Sequence, residues 1–204
     1  MNHSAGGHTK ALSFEAEIHN LAILSQDKEI ANTLIQAGAL SSILKFLQDE
    51  GPTVRTSTMI MHGAASFIAN VASHLLVERS PIFFSQRKSD FAVCRVSASF
   101  SDSASPSIDA YAVRSTILQL LPQLLFILIG MLELNDNPLA RKEAIRALAE
   151  LSCHDEIVRF MAREEGCIAG LARILSRIDN NDLAYQDGIA ALSNISLFQS
   201  IPTF

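Results

Sequence analysis

The 204-residue chain has no tryptophan and only two tyrosines, and aromatic residues make up just 6% of it. Its apolar mass, 49% of residues, is therefore mainly Leu, Ile, Ala and Val, the small and aliphatic set that close helix packing uses. Cysteine is scarce as well. Cys94, Cys153 and Cys167 form no pair at metal-ligand spacing, and an odd count of three fits free thiols in a reducing compartment better than a disulfide framework. The six histidines include no His-x3-His pair, so neither a metal nor any other cofactor is expected. Basic charge is also in short supply. Sixteen Lys and Arg against 21 Asp and Glu leave a net of −5, which argues against nucleic acid as the main partner, because phosphate binding draws on clustered cations. Met1 is followed by NHSAGGHTK, without the charged and apolar regions of a signal peptide, so the expected compartment is the cytoplasm or nucleus.

What the chain does contain is helical periodicity, clearest from Asn137 to Ile178. Asn137 can cap a helix with Pro138 at its first position, and Ala144, Ala147, Leu148 and Leu151 then share one face. After Cys153-His154-Asp155 a shorter apolar stripe, Ile157, Phe160 and Met161, is expected to stop at Gly166, where positive φ is tolerated. A third pattern places Ile168, Leu171, Ala172, Leu175 and Ile178 at steps of three and four. Helices this short are marginal alone in water, so each must bury its stripe against a neighbour.

The unit recurs. Asp27 to Leu47 reads like His154 to Leu175, and Gly38 and Gly166, 128 residues apart, punctuate both; that distance is three units of about 43, the period of a helical solenoid. HNLAILS, ANVAS, AELS and SNIS, beginning at His19, Ala69, Ala149 and Ser193, each close a longer helix with a serine. From Glu150 to Asn194 is one period of 44 residues, whereas Asn70 to Glu150 spans 80, so one period is lengthened by about 36.

QAGALSSILKFL and NPLARKEAIRALAELS resemble the armadillo repeat over about 160 of the 204 residues. The resemblance implies an all-α fold, a right-handed superhelix of three to four repeats whose long helices line a concave groove. It also implies a non-catalytic protein-interaction module or scaffold that binds an extended segment of a partner protein. In the family an asparagine near the end of each long helix can hold the backbone of a bound peptide, since an amide both donates and accepts. The matching positions are Asn20, Asn70, Glu150 and Asn194. Nuclear-import receptors of the family place tryptophan one turn earlier, where this chain has Ala16, Ser66, Arg146 and Ala190, so an import-type cargo receptor is the weaker expectation. Arg146 joins the candidate groove. The local alternative for the three asparagines is that each satisfies carbonyls at a helix C-terminus. A regulatory or structural fragment of a larger, enzyme-associated protein, continued by further repeats or domains, is the other functional reading.

In chain order, residues 1–10 read as a flexible tail and 11–74 as the first repeats, with Ile18, Leu21, Ala22 and Leu24 on the helix Ala11 to Leu24. Gly51-Pro52 is expected to open a long helix from Thr53 to Ser73 with Met59, Met61, Phe67, Ile68 and Val71 at core positions. Residues 75–115 form a Ser-rich insertion broken by Pro81 and Pro106, read as loop or disorder. Within it Arg87-Lys88-Ser89 resembles a basic-directed kinase site, making Ser89 a phosphorylation candidate. Repeats resume over 116–198, and 199–204 is a tail. Leu124 to Met131 has no polar side chain and is expected to be fully buried. A membrane span is set aside because Gln119, Pro122, Gln123 and Glu133 leave an apolar core short of the ~20 residues a span requires. Asp182 is expected to cap a last helix, Leu183 to Leu197.

The catalytic inventory is thin. Ser42-Ile43-Leu44-Lys45 matches Ser-x-x-Lys, but its middle residues read as a packing face. Cys153 and His154 are adjacent, a poor arrangement for a nucleophile and its base, which normally converge from separate elements. No enzyme activity is expected.

Overall fold

The structure is a computed structural model, described for residues 5–49, 57–75, 108–134 and 136–199. It consists of helices, with no strand among the described residues. In chain order they are α1 (Ala5–Leu24), α2 (Lys28–Gln36), α3 (Ala39–Asp49), α4 (Thr58–His74), α5 (Ile108–Leu132), α6 (Pro138–Leu151), α7 (Asp155–Met161), α8 (Glu165–Leu175) and α9 (Leu183–Gln199).

The boundaries follow local chemistry. Asp27 accepts from the backbone N–H groups of Glu29 and Ile30 and starts α2. Asn137 accepts from Ala140 N–H with Pro138 at the first helical position, as the sequence implies. Asp182 accepts from Ala184 N–H at 3.0 Å and opens α9. Gly38, between α2 and α3, has φ +84°, a conformation in which a side chain would be strained.

Several expected boundaries are corrected. Helix α1 begins at Ala5, inside the stretch read as a tail, and α5 begins at Ile108, inside the stretch read as insertion. The backbone of Ser57 is extended (φ −77°, ψ 106°) and its hydroxyl caps α4, so no single helix runs from Thr53. The Gly51-Pro52 opening itself lies outside the described residues, as do Ser89, Cys94 and most of the insertion. Helix α7 ends at Met161, and Gly166 sits in the first turn of α8, so Gly166 starts a helix where it was expected to end one. Met59 is half exposed and Leu24 nearly so, off the core faces assigned to them.

The helices pack in two rows. The long helices α1, α4, α6 and α9 stack in that order, each against the next. Behind them α3, α5 and α8 form a second row, and the short α2 and α7 each bridge the two. Apart from α1 this is three repeats, the middle one having α5 and α6 but no separate short helix among the described residues. One core runs through it, from Ile18 and Ala22 through Phe67, Ile68 and Leu128 to Leu148 and Ala191. Small residues set the spacing of the long row: Ala64, Ala65, Ala69 and Ala72 of α4 and Ala140, Ala144 and Ala147 of α6 are all buried.

Helix α5 was expected to hold a fully buried run from Leu124 to Met131, but Phe126 is 63% exposed. Its stretch Tyr111–Leu132, of mean hydropathy 1.9, is long and apolar enough to cross a membrane, longer than the sequence reading allowed. Packing accounts for one face of it, since Ile117, Leu121, Leu124, Leu125, Leu128 and Met131 are buried against α2, α3, α6 and α8, while Tyr111 and Phe126 on the same helix are exposed.

At Gly63 the absence of a side chain lets α4 lie close against α1. A Cβ there would overlap Cγ2 of Ile18, which is fully buried on α1. Gly63→Ala is expected to destabilise the chain by about 1–3 kcal/mol in urea unfolding, as overpacking does. The double variant Gly63→Ala with Ile18→Ala should cost less than the sum of the two singles; strict additivity would mean that the helices do not meet there.

Candidate functional site

The long row is held by a repeated polar joint as well as by apolar contact. Asn70, buried on α4, donates from Nδ2 to the Ala22 carbonyl (2.8 Å) and to Ser25 Oγ (3.1 Å) at the end of α1. Its Oδ1 accepts from Arg146 Nη2 of α6 at 2.9 Å, so both ends of the amide are committed. Asn194 of α9 donates in the same sense to Ser152 Oγ at 3.0 Å, just beyond α6. In each case the serine donates in turn to a carbonyl three residues back, Ser25 to Ala22 and Ser152 to Ala149. Two of the three junctions in the row thus share one device, and the middle junction uses Arg146 in its place.

Histidines reinforce the same ends. His74 Nε2 donates to the carbonyls of Ser25 and Gln26, each at 3.1 Å, which stitches α4 to the α1–α2 corner. His154 is buried and its ring donates to the Ala72 carbonyl; burial, outweighing that bond, lowers its pKa from 6.5 to about 4, with the Arg114 charge adding to the effect. A neutral, packed imidazole of this kind serves the corner between α6 and α7. Its neighbour Cys153 points its thiol at the Ala149 carbonyl, 3.5 Å away. Burial pushes the Cys167 thiol up to about 12, with Glu164 adding to the effect, which leaves it un-ionised.

The five groove candidates separate by environment. Asn20 is exposed and lies four residues before the end of α1, as Asn70 does before the end of α4. Glu150 is half-buried at the penultimate position of α6, a turn further along its helix than those two amides. Arg146 is brought directly to Asn70 and pairs with Glu143 at 2.7 Å. Asn194 is half-buried on the next helix. Of the tryptophan-equivalent positions, Ala16 is exposed, Ser66 half-buried and Ala190 buried.

Other polar groups on the row are also engaged. Lys142 bonds Asp182 at 2.6 Å, joining α6 to the cap of α9, and this bond, with that from Ala184 N–H, lowers the Asp182 pKa. Ser57 donates to Glu15 across α4 and α1, and Asn137 Nδ2 donates to the Thr58 carbonyl at 3.2 Å. In the Ser-x-x-Lys stretch, Ser42 and Lys45 are exposed while Ile43 and Leu44 are buried in the core. Among the described residues no cluster of three or more His, Cys, Asp or Glu could hold a metal ion. The sequence signal for the joints was present in the serine that closes each long helix, but not the direction in which the amides reach.

Among known proteins, no family model and no curated sequence matches the chain. Among solved structures it is similar to a designed armadillo repeat protein in complex with peptide (KR)4, with a TM-score of 0.56 and 20% identity over 95% of this chain and 61% of that one. A second designed armadillo repeat protein superposes with a TM-score of 0.34 and 18% identity, over 89% of this chain and 92% of that chain. The chain therefore has an armadillo-type fold, and it spans 61% of the length of the first of these proteins.

Two measurements check the joints. Asn70→Ala removes three interhelical hydrogen bonds, to the Ala22 carbonyl, to Ser25 and from Arg146, and is expected to cost about 2–3 kcal/mol in urea unfolding; a loss below about 0.5 kcal/mol would show that the amide does not hold the helices together. For His154, the folded pKa lies below the unfolded one. As pH falls from 6.5 towards 4 the unfolded chain takes up a proton that the folded chain refuses, so stability present above pH 6.5 drains away, by about 3 kcal/mol in full. His154→Asn should flatten that part of the stability profile, and parallel profiles for the two proteins would refute the assignment.

Proposed function

We propose that this chain is a non-catalytic binding scaffold that holds an extended segment of a partner protein along the exposed side of its long-helix row. The observation that carries this reading is the row itself: four helices in unbroken succession, presenting Asn20, Arg146, Glu150 and Asn194 at or near the surface. Stacked helical repeats twist so that such a row lines a concave, extended surface, matched in shape to an extended chain. That a designed armadillo protein of the same fold is found in complex with a peptide supports the reading.

The polar joints assign different work to the candidates. Asn70 is consumed in holding α1, α4 and α6 together, so its part is to set the spacing of the row. Asn20 is exposed and placed to meet a backbone; Asn194 has its Nδ2 bonded to Ser152 and offers its Oδ1 alone, and Glu150 and Arg146 lie near it as part of the same face. Arg146 and Lys142 each have an acidic partner on this face, Glu143 and Asp182, so the surface is of mixed sign and selects by backbone geometry and pattern more than by net charge. A cytoplasmic or nuclear setting accords with the free thiols.

Site-specific photocrosslinking tests the face whatever the identity of the partner. A photoreactive residue at Asn20 or Gln186, on the long row, is expected to capture a partner that the same residue at Ser42 or Ala172, exposed on the second row, does not. Equal capture from both rows, or capture from the second row alone, would overturn the proposal.

A further inference from the structure

The middle of the long row lacks the amide that α1, α4 and α9 carry. Glu150 stands in its place on α6, and a carboxylate accepts hydrogen bonds but donates none. The flanking amides do not make up for it, because Asn70 and Asn194 each direct Nδ2 at two acceptors on the preceding repeat. One turn before Glu150 sits Arg146, which the fold holds from one side. Its Nη2 donates to Asn70 Oδ1 at 2.9 Å and lies 2.7 Å from Glu143 Oε2, and its Nε is buried. A guanidinium is a rigid fork of five N–H donors, so fixing one arm fixes the others. The arm left over is Nη1, whose two hydrogens meet no acceptor among the described residues, on a side chain 39% exposed. At the corresponding position the neighbouring long helices carry Ser66 and Ala190, both too small to wall it off.

We propose that Arg146 is the donor that grips the partner's backbone at the middle of the row, Nη1 donating to a main-chain carbonyl of the extended segment. The inference rests on the scaffold reading above and gives that face its central contact. The acceptor is a neutral carbonyl and not an acidic side chain, because Glu143 and Glu150, three residues before Arg146 and four after, share its helix face and would repel a third carboxylate. Arg146 is anchored before the partner arrives, so little side-chain freedom is lost on binding. Recognition at this point is tolerant of the partner's sequence and demanding of its extended conformation.

The test selects binders to the full chain from a phage library of random dodecapeptides and remakes the tightest with each backbone amide replaced in turn by an ester, whose carbonyl is the weaker acceptor. Affinities are read by fluorescence anisotropy. One ester is expected to weaken binding to the wild type about fivefold and to leave binding to Arg146→Ala almost unchanged, since arginine only donates and so couples to the peptide through that carbonyl. Arg146→Ala should itself bind the parent peptide about tenfold more weakly. Glu143→Ala keeps Arg146 and removes its offsetting charge, so selection on that variant should enrich Asp or Glu beside the same bond; it serves as the readout should Arg146→Ala lose its helical circular dichroism. Ester effects equal in wild type and Arg146→Ala would overturn the proposal. So would wild-type binders that already require an acidic residue at that bond, or selection unchanged by Glu143→Ala. A library that yields no binder would remove the scaffold reading and this assignment with it, whereas binders without the coupling overturn this assignment alone.

Discussion

None of the described helices can hide its apolar stripe by itself, and that constraint shapes everything else. α7 is seven residues long and α2 nine, far below the length at which an isolated helix is stable in water. Each acquires stability only by lying against the units before and after it. The small side chains of α4 and α6, with Gly63 against Ile18, let the long helices come close enough for the seam to be continuous. Continuity of that seam is what makes the outward side a single extended surface.

Apolar contact fixes distance, but it does not fix register. Sliding one helix past another by a turn would still bury alanines and leucines. The amide-to-serine joints at Asn70 and Asn194 and the histidine contacts at His74 and His154 remove that freedom, because a buried donor that misses its acceptor is costly. These groups sit at the C-terminal ends of the long helices, where carbonyls without intrahelical donors are available. The fold thus spends the polar residues that a peptide-binding reading would claim, Asn70 most completely, on keeping its own rows aligned.

Much of the fold was legible in the chain, and the reasons are local. The Asn137-Pro138 and Asp182 helix starts could be read because a cap acts within three residues. The row α6 to α9 could be read because its stripes repeat at three and four. The start of α5 was missed because serines and Pro106 dominate that composition, although Val113, Ile117, Leu121 and Leu124 already fall on one face. Gly166 resembled a helix stop since a glycine's φ cannot be seen in sequence; its counterpart Gly38 does take positive φ. For the candidate site, the recurrence of Asn20, Asn70 and Asn194 was visible, but the destinations were not. Asn70 reaches back 45 residues to Ser25 and forward 76 to Arg146, and no short-range pattern encodes such pairings.

The claim beneath all of this is that stability passes from neighbour to neighbour along the row. Native-state hydrogen exchange on dilute, monomeric protein measures it helix by helix. Amides of α4 and α6, flanked on both sides, should exchange slowest, with protection falling off towards α1 and α9. Uniform protection in every long helix, or slowest exchange in the end helices, would contradict the account.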